Sequence, residues 1–199
     1  MAFTYFFRDM QTLEMIRDHV IPELRTRRYI HIWDAGCAMG PEPYSLAIVL
    51  RENMGMIFRN VKIHATDIDN SNLFGDIISK GIYPREQVQR IPKDIFEKYF
   101  SPAVEPGHFV ISHEIRNSVS FTRHNLLDLQ PIRKGLNLIL CKNVLLHFQE
   151  KERTEVIKMF HDALDGGYLA MEQTQKMPAE LEDYFEPVVS NAQLYRKVA

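Results

Sequence analysis

At 199 residues, 45% of them apolar and 25% charged, the chain is long enough to bury one core and has the make-up of an ordinary soluble globular domain. A formal net charge of −2 excludes the domain-wide basic surface that nucleic-acid binding demands, and no apolar run is long enough to span a bilayer. The two cysteines, Cys37 and Cys141, are expected to be reduced thiols; with no signal peptide, the expected location is the cytoplasm.

Residues 9–28 are expected to be helical, because Leu13, Ile16, Val20 and Leu24 recur at helical spacing. Pro22 should kink or break that helix. Strands then alternate with helices: a strand over 29–33 precedes a helix over 42–52. A strand over 61–67 precedes a helix over 71–80, with Asn70 as the expected N-cap. A strand over 136–141 precedes a helix over 150–164, which Asp165-Gly166-Gly167 should stop. A strand over 168–172 and a hairpin over 184–189 and 193–198 close the chain. The expected class is α/β, with a mixed, mostly parallel sheet in a single domain over 1–199. The alternation lapses over about 83–123. There a short helix (93–100), a loop with Pro102, Pro106 and Gly107, and two strands (108–112 and 118–122) suggest a small antiparallel β insertion.

The first strand runs into Trp33-Asp34-Ala35-Gly36-Cys37-Ala38-Met39-Gly40-Pro41-Glu42-Pro43-Tyr44-Ser45. Gly36 permits a tight turn, and Gly40 is expected to let backbone approach a ligand closely. Free N–H groups of the next helix should face that ligand. The second strand ends in Asp67, where a carboxylate beside the glycine loop accepts ribose hydroxyls. Asp67 lies 27 residues beyond Gly40, and the loop lacks a third glycine, so a pyrophosphate has no seat. A nucleoside cofactor without one, S-adenosylmethionine, fits better. Tyr44 and Ser45 are expected to pack the first helix, and Asp69 to bind either a ribose or the approaching helix. His108 and His113 are too few for a metal site, and none is expected.

Together these segments resemble the CheR-type chemotaxis receptor glutamate methyltransferases over nearly the whole chain. Thr4-Tyr5-Phe6-Phe7-Arg8-Asp9, residues 32–45, Ala65-Thr66-Asp67-Ile68-Asp69, residues 119–127 and residues 138–148 follow the family's order. The resemblance implies a class I, Rossmann-like methyltransferase that moves a methyl group from S-adenosylmethionine to a glutamate carboxylate, leaving S-adenosylhomocysteine. It implies that Thr4 and Arg8 border the methionine part of the cofactor, with Glu42 near its amino or methionine end and Gly36 in the loop beneath. Asp67 would hold the ribose, Asn125 and Leu126 would flank the adenine, Asn143 would line the transfer site, and Lys142 would be a further cofactor-binding residue. Arg8 and His147 are the implied catalytic residues. The implied partner is a protein, the cytoplasmic region of a chemoreceptor, met by a monomer without membrane insertion. The insertion would be the family's β-subdomain, which in some members docks on a receptor tail.

Four departures from the family pattern stand out. The family carries a helical domain ahead of the Thr-x-Phe-Phe-Arg segment, whereas here Thr4 lies three residues from the start, so that domain is lacking or trimmed. Lys142 replaces an arginine, and His147 a tyrosine. Ala2 stands where an asparagine is usual, and Met171-Glu172-Gln173-Thr174-Gln175 replaces a Gly-x-Ser-Glu run. The alternative function for the same residues is a non-catalytic signalling module that binds the cofactor or its product.

Overall fold

The computed structural model describes residues 4–198, so Ala2 lies outside the described residues. α1 (Met10–Met15) starts where the Asp9 carboxylate accepts from the Thr12 N–H at 3.2 Å and the Thr12 hydroxyl at 2.9 Å. The helix expected over 9–28 is interrupted by a π-helical turn, Ile16–Val20, before α2 (Ile21–Leu24). Pro22 has no N–H for the carbonyl four residues back and its ring crowds that carbonyl, so the turn ahead of it widens.

β1 (Ile30–Ala35), α3 (Pro41–Met54), β2 (Val61–Asp67) and α4 (Phe74–Lys80) make the first two strand–helix units. Next come β3 (Ile82–Pro84), α5 (Arg85–Val88), α6 (Lys93–Tyr99), β4 (Phe100–Pro102) and β5 (His108–Ile111). Their strands form a separate three-stranded antiparallel sheet in the order β3-β5-β4. α7 (His113–Ser118), β6 (Val119–Arg123), β7 (Leu136–Cys141), α8 (Glu150–Ala163), β8 (Leu164–Met171), β9 (Phe185–Pro187) and β10 (Leu194–Lys197) complete the chain.

The main sheet has seven strands in the order β6-β2-β1-β7-β8-β10-β9, and only β10 runs against the rest. Period-two alternation divides its side chains between two cores. Ile32, Ile63, Ala65, Leu138 and Leu140 face the layer of α1, α2 and α3. Trp33, Ala35, Ile139, Cys141 and Leu169 face α8 through Val156, Ile157 and Phe160.

Three expectations need correction. The strand expected over 118–122 within the insertion is β6, which pairs in parallel with β2 in the main sheet, and the residues ahead of it form α7. Asn70 does not cap α4. The N-cap position is Leu73, and the Asp69 carboxylate ahead of it accepts from the Leu73 N–H at 3.3 Å and the Phe74 N–H at 3.0 Å. β8 begins at Leu164, not at 168, with a register shift opposite Leu136 and Leu138. Gly167 lies inside it because a Cβ there would come within 2.3 Å of the Asn137 carbonyl oxygen.

Candidate functional site

The carboxyl ends of β1, β2, β6 and β7 open onto one cavity of about 340 Å³, where the strand order reverses between β1 and β7. Its floor is the loop after β1. The N–H groups of Gly36 and Cys37 donate to the Thr66 carbonyl at 2.7 and 3.0 Å, tying the loop to β2. Gly36 has φ +99°, and a Cβ there would lie 2.1 Å from Val144 Cγ2, so only glycine lets the two walls meet. The Asp67 carboxylate accepts from the Ala38 N–H at 3.0 Å through one oxygen and from the Asp69 N–H at 3.1 Å through the other. A carboxylate has about four acceptor positions, so capacity remains on both oxygens.

Gly40 does other work than expected. Its φ is +101°, and a Cβ would strike Ile78 and the Tyr83 hydroxyl at 2.7 Å, so it serves packing rather than approach to a ligand. The first turn of α3 also offers few donors, because Pro41 and Pro43 carry no N–H. What that turn presents to the cavity is the Glu42 side chain. One Glu42 oxygen is buried without a hydrogen-bond donor, and burial pushes its carboxyl up to about 7. Tyr44 is buried and donates to the Ile78 carbonyl, and Ser45 donates to the Pro41 carbonyl at 2.6 Å, so both pack α3.

The amino-terminal segment forms a further wall. Phe6 is buried edge-on against Tyr83 and Phe100. The Phe7 N–H donates to Ser45 Oγ at 2.9 Å, with φ of +57° turning the chain. These anchors hold Thr4 and Arg8 on the cavity wall.

Lys142 lines the cavity with its charge already committed to protein partners. Its side chain is 2% exposed and its ammonium lies 2.5 Å from Asp9 Oδ2. It also donates to Thr12 Oγ1 at 2.8 Å and the Met171 carbonyl at 2.9 Å. Burial alone would raise the Asp9 carboxyl, but the bonds from Lys142 and Thr12 hold it below the usual range. The ion pair thus clamps α1 to the ends of β7 and β8. Asn143 follows with φ +59°, its N–H donating to Glu172 Oε2 at 3.3 Å. His147 ends a 3-10 turn, Leu145–His147, and is exposed at the mouth. Asn125 spends its side chain capping the turn Leu126–Asp128, where Oδ1 accepts from the Leu127 N–H at 3.1 Å.

Thr4, Arg8, Gly36, Glu42, Asp67, Asn125, Leu126, Lys142, Asn143 and His147, picked from the sequence, all line this one cavity. Sequence reasoning missed Thr66, Ile68, His124, Val144 and Phe148 on the same wall. His124 bonds the Gln130 carbonyl through Nε2 at 2.8 Å, so Nε2 is a donor, and the buried Nδ1 has no hydrogen-bond partner among the described residues. Its place directly before Asn125 was the available signal. Among the described residues no group of three or more His, Cys, Asp or Glu side chains could hold a metal ion, and no helix is long and apolar enough to cross a membrane. Cys37 and Cys141 are buried free thiols.

The sequence matches the family model described as CheR methyltransferase, SAM binding domain, over residues 2–194. A chemotaxis protein methyltransferase of Borreliella burgdorferi is 34% identical over 170 residues, covering 81% of this chain and 59% of the relative. Chemotaxis protein methyltransferase 2 of Vibrio cholerae serotype O1 is 31% identical over 181 residues, covering 87% of this chain and 62% of the relative. The chain thus spans about three fifths of the length of these curated relatives. The structure of PKMT2 from Rickettsia typhi in complex with AdoHcy aligns with a TM-score of 0.50 at 13% identity, covering 86% of this chain and 26% of that one. At that identity the likeness bears on the fold alone, which is the class I methyltransferase fold expected from the sequence. With its sheet order, its loop-and-Asp67 cavity and a family match over nearly its whole length, the chain belongs to the family of CheR methyltransferase S-adenosylmethionine-binding domains.

Proposed function

We propose that this domain transfers a methyl group from S-adenosylmethionine to a glutamate side chain of a protein, the cytoplasmic region of a chemoreceptor. The observation that carries the reading is the convergence of the segments around Arg8, Gly36, Asp67, Leu126 and Asn143, distant in sequence, on one cavity. Groups left unmatched on its wall fit the cofactor. Asp67 retains acceptor capacity for two ribose hydroxyls, and the buried Glu42 oxygen suits the ammonium of the methionine end. Leu126 and the Asn125 turn supply an apolar wall for the adenine.

When bound, the cofactor supplies an electrophilic methyl group on a cationic sulfur. A glutamate carboxylate is already a nucleophile at neutral pH, so no side chain here has to remove a proton. The chain's work is to orient and to exclude water. Arg8, on the cavity wall, presents the fork that holds a carboxylate through two parallel bonds. His147, at the mouth, serves as a hydrogen-bond donor to the acceptor. Val144 and Phe148 keep the approach dry. The β3-β5-β4 sheet, inserted between α4 and α7, is the surface for the receptor. The domain works in the cytoplasm as a monomer.

Incubation with methyl-labelled S-adenosylmethionine and a receptor cytoplasmic fragment tests this reading. Base-labile label on the fragment, as a methyl ester releases it, is expected. Binding of the cofactor with no label transferred would favour the non-catalytic module instead.

A further inference from the structure

Behind Glu42 stands a second acid that the methyl-transfer reading leaves unused. Asp34, in β1, is completely buried, and neither of its carboxyl oxygens receives a hydrogen bond from a protein donor among the described residues. Its carboxyl group and that of Glu42, which itself has an unmatched buried oxygen on the cavity side of α3, are close enough to act on each other. Two carboxylates cannot bond to each other without a proton, and an isolated charge at the Asp34 position would be very costly. A proton on Asp34, the carboxyl raised well above its usual range, donated to an ionised Glu42 gives the pair a hydrogen bond and leaves no charge on the fully buried acid.

We propose that Asp34 is a positioning residue for Glu42: its carboxyl donates a hydrogen bond to the Glu42 carboxylate and turns it toward the ammonium group at the methionine end of the bound cofactor. The inference rests on the cofactor reading given above. Other charges set the balance. Asp67, at the end of β2, raises Asp34 further after burial and Glu42 have done so. Facing Glu42, Lys142 beyond β7 and Arg8 before α1 favour the carboxylate, while Asp9 opposes it. Cys37 and Cys141, the nearby thiols, are pushed well up by burial and stay neutral. Glu42, raised to about 7 by burial, therefore passes from acid to carboxylate as pH rises through neutrality. Affinity for a ligand carrying an ammonium group rises with it.

Calorimetric titration with S-adenosylhomocysteine between pH 5.5 and 8.5 tests this on the wild type, Asp34→Asn, Asp34→Val and Glu42→Gln. Asn keeps a donor and no charge, so Asp34→Asn is expected to match the wild type within about twofold, with the same pH profile. Asp34→Val removes the donor from a charged acceptor. Its affinity at pH 7 is expected to fall roughly tenfold or more, and the midpoint of its profile to move to higher pH. Asp34→Val with wild-type affinity and profile would overturn the proposal. So would a tenfold loss in Asp34→Asn, because Asp34 would then act through its charge. Wild type that binds while Glu42→Gln binds equally well removes the assigned role of Glu42 and this inference with it. Folded wild type that does not bind defeats the cofactor reading itself.

Discussion

Replacing Lys142 with methionine tests whether its ammonium is a structural clamp. The side chain is 2% exposed and spends its charge on Asp9 at 2.5 Å, with Thr12 Oγ1 and the Met171 carbonyl as further partners. Removing one member of a buried ion pair costs about 3–5 kcal/mol. Asp9 retains 30% exposure, so water can reach the carboxylate left behind, and the lower end, about 3 kcal/mol, applies here. Urea denaturation at pH 7 reads this loss. Segment 4–9 should loosen from the cavity, so affinity for S-adenosylhomocysteine should drop severalfold in the same variant. The acid dependence follows from Asp9. Its carboxyl is held below the usual range, so the pair's contribution is complete above about pH 4 and is lost as pH falls through the lowered value. The stability gap between wild type and Lys142→Met should therefore narrow in acid. A loss below about 1 kcal/mol, with a gap that does not depend on pH, would refute the clamp.

Other outcomes follow from the same geometry. Gly36→Ala forces a Cβ to 2.1 Å from Val144 at a φ of +99°, and should cost about 2–4 kcal/mol of stability, read by denaturation, or distort the cavity enough to lower cofactor affinity tenfold. Arg8→Lys should lose most turnover on the protein acceptor while cofactor affinity changes little; an unchanged rate removes Arg8 from acceptor binding. His64 stacks on His31, their ring nitrogens 3.2 Å apart, and burial with the charges around it lowers His64 to about 4. The unfolded chain protonates this residue near pH 6.5 and the folded chain does not, so stability is complete above 6.5 and falls as pH drops toward 4. Allowing for partial solvent access, about 1–2 kcal/mol should disappear over that range, and His64→Leu should flatten the slope. A slope unaltered in His64→Leu assigns the acid sensitivity to other groups.

The sequence was most legible where local patterns decide the outcome. β2 and β7 fall where expected, because β7 is a short apolar run in the centre of the sheet and β2 alternates apolar Val61, Ile63 and Ala65 with polar residues up to its closing Asp67. The cavity residues were found because turn chemistry and motif order are local. β6 was assigned to the wrong sheet for an opposite reason. Val119 and Phe121 alternate with Ser120 and Thr122, as in any half-exposed edge strand, and nothing local states that the partner is β2. The place of Lys142 on the cavity is legible from motif order, but its partners are not: Thr12, to which it donates, is 130 residues away, and Asp9 sits beside Thr12. Gly40 looked like a ligand contact because a glycine's cause is invisible until its neighbours, Ile78 and Tyr83, are in place.

The central claim is that the cavity built on Gly36 and Asp67 binds S-adenosylmethionine and its product. Titrating the purified chain with S-adenosylhomocysteine, beside Asp67→Ala, tests it most directly. Micromolar binding by the wild type, lost in Asp67→Ala while the variant remains folded, is the expected result. A folded wild type that takes up no ligand, or an Asp67→Ala variant that binds as tightly, would contradict the account.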